Sequence, residues 1–220
     1  MRYVEQVWRR GALALLGAST VGCGSLPGTP REAATPAAQV AMPAKADAER
    51  APSLATQRAF DAACQALRAG RTDEAERGFQ ALAQSNPELG GPHANLGVIY
   101  RQAGKLPESM AALEQAVRVS PKQAAYFNQL GITYRQLGKF EQARESYETA
   151  ITLDPGYAAP ILNLGILNDL YLADGGHAME LYDRYLLLSP GGDVAVSKWV
   201  VDLKNCKPAQ LSALARKEKE

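Results

Sequence analysis

Residues that commonly build catalytic or metal centres are scarce in this sequence. Its 220 residues include two His and three Cys, which leaves little material for a zinc site or for a catalytic centre with a His base. The chain also contains no HExxH, CxxC, Walker-type phosphate loop or GxSxG segment. We therefore expect no catalytic residue, no metal site and no cofactor, and we predict that the protein is not an enzyme.

An excess of charge of one sign is also lacking. Lys and Arg together number 24 against 23 Asp and Glu, which gives a formal net charge of +1 at pH 7. Proteins that bind nucleic acid do so largely through clustered positive charge. No nucleic-acid partner is therefore expected.

Aromatic and β-branched residues are few, whereas helix-forming residues are abundant. Aromatic residues make up 7% of the chain, while Ala accounts for 38 residues and Leu for 26. Both Ala and Leu favour helices. This composition predicts an all-α fold and excludes architectures built on sheets.

The first 22 residues have the order typical of a secretory signal peptide. Arg2, Arg9 and Arg10 precede a short apolar run over residues 11–20, and small residues follow. A helix that spans a bilayer needs about 20 apolar residues, and this run has about half as many. We predict that residues 1–22 direct export, and a permanent transmembrane anchor is the weaker interpretation.

The segment Thr20-Val21-Gly22-Cys23 resembles the lipobox of bacterial lipoproteins. The resemblance implies that Cys23 becomes the lipid-carrying first residue of the mature chain. The family usually has Leu where this chain has Thr20, so the match is partial. Because Gly24 is not Asp, the resemblance also implies the outer membrane. The alternative is that Cys23 is an incidental small residue beside an ordinary cleavage site.

Residues 23–52 are predicted to be a disordered tether. They contain five Pro and nine Ala with no apolar periodicity, so they cannot bury enough surface to offset the entropy lost on ordering. Fully extended, such a stretch reaches about 100 Å. It would let an anchored domain sample the space beneath a membrane.

A repeat of 34 residues begins after the tether. Prolines 87, 121, 155 and 190 follow a capping residue in each case and are spaced by 34, 34 and 35 residues, and each pair is a helix-stop and restart signal. Between them the chain repeats HANLGVIYRQAGKLPESMAALEQAV as FNQLGITYRQLGKFEQARESYETAI. This pattern resembles the tetratricopeptide repeat. The resemblance implies a right-handed α-solenoid of about four helix hairpins over residues 53–190.

Small and bulky residues alternate as helix packing in such hairpins requires. Small side chains at fixed positions let paired helices approach to the close end of the usual range, about 8 Å. Gly70, Gly104 and Gly138 stand where first helices should end. The small positions are Ala63, Gly97, Gly131 and Gly165 in first helices and Ala75, Ser109, Ala143 and Ala178 in second helices; the bulky ones include Leu96, Leu130, Leu164, Phe79, Leu113, Tyr147 and Tyr182.

Residues 191–220 are predicted to form a capping helix and a charged tail. Gly191-Gly192 interrupt the chain, and Val196, Trp199, Val200 and Leu203 then recur at helical spacing. A solenoid needs such a cap to cover its last apolar face. We expect the tail from Pro208 onward to fray.

In tetratricopeptide repeats the first helices line a concave groove that binds segments of partner proteins. The resemblance therefore implies a partner-binding row, in which amides pair with a partner's backbone and the two Arg take a carboxylate. The alternative is a solvated polar face without a partner. The row consists of Asn95, Val98, Arg101, Gln102, Asn128, Gln129, Ile132, Arg135, Gln136, Asn163 and Ile166, flanked by Ala94, Leu162 and Asp169.

One subtype of the family binds an acidic C-terminus through a carboxylate clamp. That clamp needs basic residues where this chain has Phe60, Ala125 and Gln129, although Asn95 matches its Asn. A clamp of this kind is not supported.

These observations together predict a lipid-anchored periplasmic adaptor of a bacterial envelope complex. Its expected partners are protein or peptide segments in the groove and the membrane through the lipid on Cys23. By resemblance, three machines fit equally: pilus or secretion-channel assembly, cell-wall synthesis or hydrolysis, and an energy-transducing complex. The main alternative is a soluble periplasmic chaperone without a lipid anchor. The sequence leaves the oligomeric state and the identity of the partner open.

Overall fold

The computed structural model describes residues 52–189 and 191–217, with side chains up to Asn205. The predicted signal peptide, Cys23 and all of the predicted tether except Pro52 lie outside these residues.

The described residues form nine α-helices and no strand, which confirms the all-α prediction. The helices are α1 (Leu54–Arg68), α2 (Thr72–Ser85), α3 (Gly90–Gln102), α4 (Leu106–Val119), α5 (Ala124–Gln136), α6 (Phe140–Leu153), α7 (Ala158–Leu170), α8 (Gly175–Leu188) and α9 (Val194–Lys217).

The first eight helices pair as four hairpins that stack in sequence. Each odd-numbered helix packs most extensively on the helix that follows it, and each second helix then contacts the first helix of the next hairpin. Helix α9 contacts α8 at the end of the stack. Contacts that join only neighbours along the chain define a solenoid.

The hairpins cross where a glycine of the first helix meets a bulky side chain of the second. A Cβ on Gly97 would lie 2.4 Å from Cγ of Leu113, and one on Gly131 would lie 2.6 Å from Cε1 of Tyr147. Glycine is therefore required for the observed separation of these helices. The predicted small and bulky positions are accordingly buried at the helix crossings.

The first hairpin reaches the same close approach with the glycine on the other helix. Ala63 occupies the glycine position of α1, and Gly78 on α2 stands opposite it. A Cβ on Gly78 would lie 3.0 Å from Cβ of Ala63. This hairpin crosses closely without the first-helix glycine that marks the others.

The proline pairs end the second helices as predicted, but the prolines do not enter the next helix. The helix α2 ends at Ser85, and the backbone N–H of Leu89 donates to the Asn86 carbonyl oxygen at 3.1 Å. Asn86 and Pro87 thus occupy the first two positions of a β-turn, where Asn and Pro are favoured. The turns that begin at Ser120 and Asp154 have the same hydrogen bond.

The turn inside the fourth hairpin differs from the other three. Gly70, Gly104 and Gly138 have φ angles of 76°, 75° and 73°, whereas the fourth hairpin has Ala173 at φ 55°. Asp174 then caps α8, since its Oδ1 accepts a hydrogen bond from the His177 backbone N–H at 3.0 Å. The extra residue of this repeat is therefore absorbed in a turn without a glycine at positive φ.

The core consists of clusters that extend across hairpin boundaries. Phe60 of α1 and Phe79 of α2 pack edge to face with centroids 5.5 Å apart, in a cluster that also includes Leu96 and Ile99 of α3. At the other end, Val196 and Val200 of α9 are buried against Tyr182. Each hairpin therefore depends on its neighbour to bury its apolar face.

Helix α9 contributes one apolar side to the end of the stack and remains helical beyond it. The ring centroid of Trp199 lies 5.6 Å from that of Tyr182. The helix continues past Pro208 to Lys217, although a proline within a helix removes one backbone hydrogen bond.

Candidate partner-binding face

Helices α3, α5 and α7 lie side by side along one face of the array. Helix α5 contacts both α3 and α7 directly, whereas contacts as extensive join neither α4 to α6 nor α6 to α8 within the described residues. The first helices of the last three hairpins are therefore closer together than the second helices. This difference makes the array concave on the side of the first helices, and we call that side the groove face.

The predicted row of residues differs widely in exposure along the groove face. Gln102 and Gln136 are exposed, while Asn95, Val98 and Asn128 are buried at 6%, 6% and 3% of their accessible surface. The remaining members are half-buried: Arg101, Gln129, Ile132, Arg135, Asn163 and Ile166.

The buried amides are hydrogen-bonded within the array. Nδ2 of Asn95 donates to the Gly91 carbonyl oxygen at 2.9 Å. Nδ2 of Asn163 donates to Oδ1 of Asn128 at 2.9 Å, and Nδ2 of Asn128 donates to the Tyr157 hydroxyl at 3.2 Å. Asn95 and Asn128 therefore position their neighbours, and the structure places neither amide where the sequence prediction needs it, against the backbone of a partner.

Arg101 connects α3 to α5. Its Nη1 donates to the Gln129 carbonyl oxygen at 3.1 Å and its Nη2 to Gln129 Oε1 at 2.7 Å. Burial lowers the pKa of Arg101, and the nearby charge of Arg135 lowers it further against an opposing effect of Tyr147. The two arginines predicted to act together therefore lie within electrostatic reach of each other.

Arg135 lies among aromatic side chains. Its guanidinium carbon is 5.9 Å from the ring centroid of Tyr171, a distance typical of a cation–π contact. Its Nε is buried and has no hydrogen-bond partner among the described residues. Asp169, the acidic residue of the flanking row, accepts a hydrogen bond from Tyr182 at 3.2 Å and forms no ion pair with Arg135.

Tyr147 is a site residue that the sequence assigned only to packing. Its side chain is fully buried, and its hydroxyl has no hydrogen-bond partner among the described residues. Burial raises the pKa of this hydroxyl to about 12, against the opposing charges of Arg135 and Arg101. The corresponding residues of the first two hairpins are Phe79 and Leu113, so an extra hydroxyl at this position was the available signal.

Other features of the described residues do not form a site on the groove face. No group of His, Cys, Asp and Glu there has an arrangement that could hold a metal ion. An open cavity of about 190 Å³ lies between α5 and α6, lined by Phe127, Leu130, Tyr134, Gln142, Glu145, Ser146 and Thr149. None of the described helices has both the length and the apolar character needed to span a bilayer.

Comparisons with known proteins agree with this architecture. Residues 92–156 match the tetratricopeptide repeat family model. The structure of MamA protein is similar with a TM-score of 0.62 and 20% identity, over 74% of this chain and 88% of that one. The structure of pilF from Pseudomonas aeruginosa is similar with a TM-score of 0.64 and 20% identity, over 73% of this chain and 72% of that one.

Stacked helix hairpins with a groove face define the class of α-solenoid proteins. The chain is a tetratricopeptide repeat protein, and an array of this kind is a scaffold for protein–protein interaction.

One similar structure belongs to an enzyme. It is a mutant O-GlcNAc transferase from Thermobaculum terrenum, similar with a TM-score of 0.56 and 23% identity over 60% of this chain and 26% of that one. The similarity covers a quarter of the transferase, and the absence of catalytic activity in the present chain stays a prediction. The comparison with curated proteins gave no match.

Proposed function

We propose that this protein is a lipid-anchored adaptor of the bacterial envelope, on the periplasmic side of the outer membrane. In this proposal Cys23 carries the lipid, residues 23–52 form the tether, and the array holds partner proteins on its groove face. The proposal is supported by the order of an export-type segment, Gly22-Cys23, an Ala- and Pro-rich stretch and a repeat array in one sequence. The partner complex is one of the three machines considered above.

The observation that carries the binding role is the groove face itself. Hydrogen-bond donors of Arg135 and the exposed amides of Gln102 and Gln136 are presented by first helices that lie side by side. Concave surfaces of repeat arrays are well suited to extended segments of partner proteins. A soluble chaperone without an anchor would use the same face.

Site-specific crosslinking in native envelopes tests the binding face. A photo-crosslinking residue at Gln102 or Gln136 should give the same discrete adduct, identified by mass spectrometry. The matched control positions are Arg118 on α4 and Thr152 on α6, which are exposed on second helices. Adducts formed only from the control positions would show that the convex side binds the partner.

Lipid labelling tests the anchor separately. Cys23→Ala should abolish incorporation of labelled palmitate and shift the protein from the membrane to the soluble periplasmic fraction, whereas Ser25→Ala should change neither. Continued labelling and membrane association of Cys23→Ala would refute the lipoprotein assignment. A shift in fraction without loss of crosslinks at Gln136 would favour the soluble chaperone.

A further inference from the structure

The groove face between α3 and α5 has more hydrogen-bond donors than acceptors. The carbonyl and side-chain oxygens of Gln129 already accept from Arg101. The Arg135 Nε and the Tyr147 hydroxyl are buried without a partner among the described residues. Leaving a buried polar group without a hydrogen bond is costly, about 1–3 kcal/mol by mutational data. The local balance therefore favours a ligand that supplies acceptors.

The unpaired hydroxyl reaches this face because of the close crossing of α5 and α6. The Tyr147 ring lies directly against Gly131, with Cε1, Cδ1 and Cζ as the atoms nearest to the missing Cβ. Arg135 is one helical turn further along α5. The charges of both Arg135 and Arg101 act on the Tyr147 hydroxyl, which places this hydroxyl close to the two guanidinium groups.

The positive charge at this place is not balanced by the chain itself. Ion pairs in the described part of the chain join Arg71 to Glu74 and Arg144 to Glu141, away from the groove face. Neither Arg101 nor Arg135 takes part in one. Two cations that lower each other's charged-state stability attract a negative charge strongly when they are partly removed from water.

We propose that Arg101, Arg135 and Tyr147 together receive an Asp or Glu side chain of the partner segment, an inference that rests on the proposed binding function. A carboxylate is an acceptor-only group near neutral pH, and its two oxygens match the planar donors of a guanidinium. The hydroxyl of Tyr147 donates a third hydrogen bond. A doubly charged phosphate would cost more to desolvate in this half-buried setting.

Paired peptides test the proposal on the purified full chain. A short Gly/Ser peptide with Glu at alternating positions is compared by NMR titration with the same peptide carrying Gln. The Glu peptide should shift the Nε–Hε signals of Arg101 and Arg135, and the Gln peptide should not. Arg135→Gln should weaken the Glu peptide by about tenfold, while Arg118→Gln on α4 should leave its affinity unchanged.

A second variant covers the case in which loss of an arginine disturbs the fold. Gln129→Glu places a carboxylate beside Arg101 in the chain itself, so it should block the Glu peptide without lowering the melting temperature. Tyr147→Phe should weaken the same peptide while the protein remains folded. Unchanged binding by Gln129→Glu would overturn the proposal.

Two further outcomes also decide against a carboxylate site. Equal binding of the Glu and Gln peptides would show recognition of backbone carbonyls without charge. Binding of a phosphoserine peptide in the absence of Glu-peptide binding would show a phosphate site. If crosslinks at Gln136 persist in envelopes that carry Gln129→Glu, the adaptor function stands and the carboxylate site does not.

Discussion

The guanidinium of Arg101 spans the boundary between two hairpins and holds Gln129 by two hydrogen bonds, at 3.1 Å to the main-chain oxygen and 2.7 Å to Oε1. The pair fixes the spacing of α3 and α5 on the groove face. Lys has the same charge but lacks the rigid fork that reaches both oxygens.

Replacement of Arg101 by Lys should therefore destabilise the array. We expect the free energy of unfolding to fall by about 1–2 kcal/mol, because two hydrogen bonds to a charged group are lost or weakened. Urea denaturation followed by circular dichroism measures the change. Arg118→Lys on the exposed side of α4 is the control, and equal stability of both variants would mean that the Gln129 contacts contribute nothing.

Addition of a methyl group at Gly131 should disrupt the third hairpin. The new Cβ would lie 2.6 Å from Cε1 of a fully buried Tyr147 ring, and overpacking of this kind costs about 1–3 kcal/mol. Gly131→Ala should lower the melting temperature, whereas Gly156→Ala, whose nearest neighbour is Asp154 Oδ1 at 3.5 Å, should leave it nearly unchanged. A wild-type melting temperature for Gly131→Ala would show that α5 and α6 can separate freely.

Removal of two tyrosine hydroxyls should have opposite effects on stability. Tyr147→Phe removes a buried hydroxyl without a partner and should leave the free energy of unfolding unchanged or raise it by about 1 kcal/mol. Tyr182→Phe removes the hydrogen bond to Asp169 at 3.2 Å and should lower it by about 1 kcal/mol. Urea denaturation of both variants tests this difference, and a loss of stability in Tyr147→Phe would indicate a hydrogen bond at that hydroxyl.

The array should lose stability in alkaline solution. Burial raises the pKa of Tyr126 and of Tyr147 to about 12, above the ordinary value of about 10. Because the folded state favours the neutral form, the stability contributed by each group is complete below pH of about 10 and is lost as the pH rises toward about 12. Urea denaturation at increasing pH should show the decline, and Tyr147→Phe should make it shallower. A flat profile would show that these groups ionise equally in both states.

The hairpins and their crossings could be predicted from the sequence because they depend on local patterns. The position of Gly131 against Tyr147 follows from a period of 34 residues and the need for close helices. The turn at Ala173 could not be predicted, since the usual signal is a glycine at positive φ and this hairpin has none there.

The exposure of the groove residues depended on packing between hairpins and was therefore beyond the sequence. Asn95 and Gln129 occupy equivalent places in their helices, yet Asn95 is buried against its own helix and Gln129 is held by Arg101. The surroundings of the Tyr147 hydroxyl depend in the same way on two arginines from neighbouring hairpins. A repeat pattern determines which side of a helix faces the groove, but not how deeply each side chain lies.

The exchange of glycine between Ala63 and Gly78 separates the geometry of a hairpin from its sequence signature. The family match begins at residue 92 and omits the first hairpin, although α1 and α2 pack as closely as the others require. A unit can thus move its single small contact to the opposite helix and still stack with its neighbour. Counting such units by a consensus glycine underestimates the length of an array, and the end units, which have only one neighbour to match, are where this drift is least constrained.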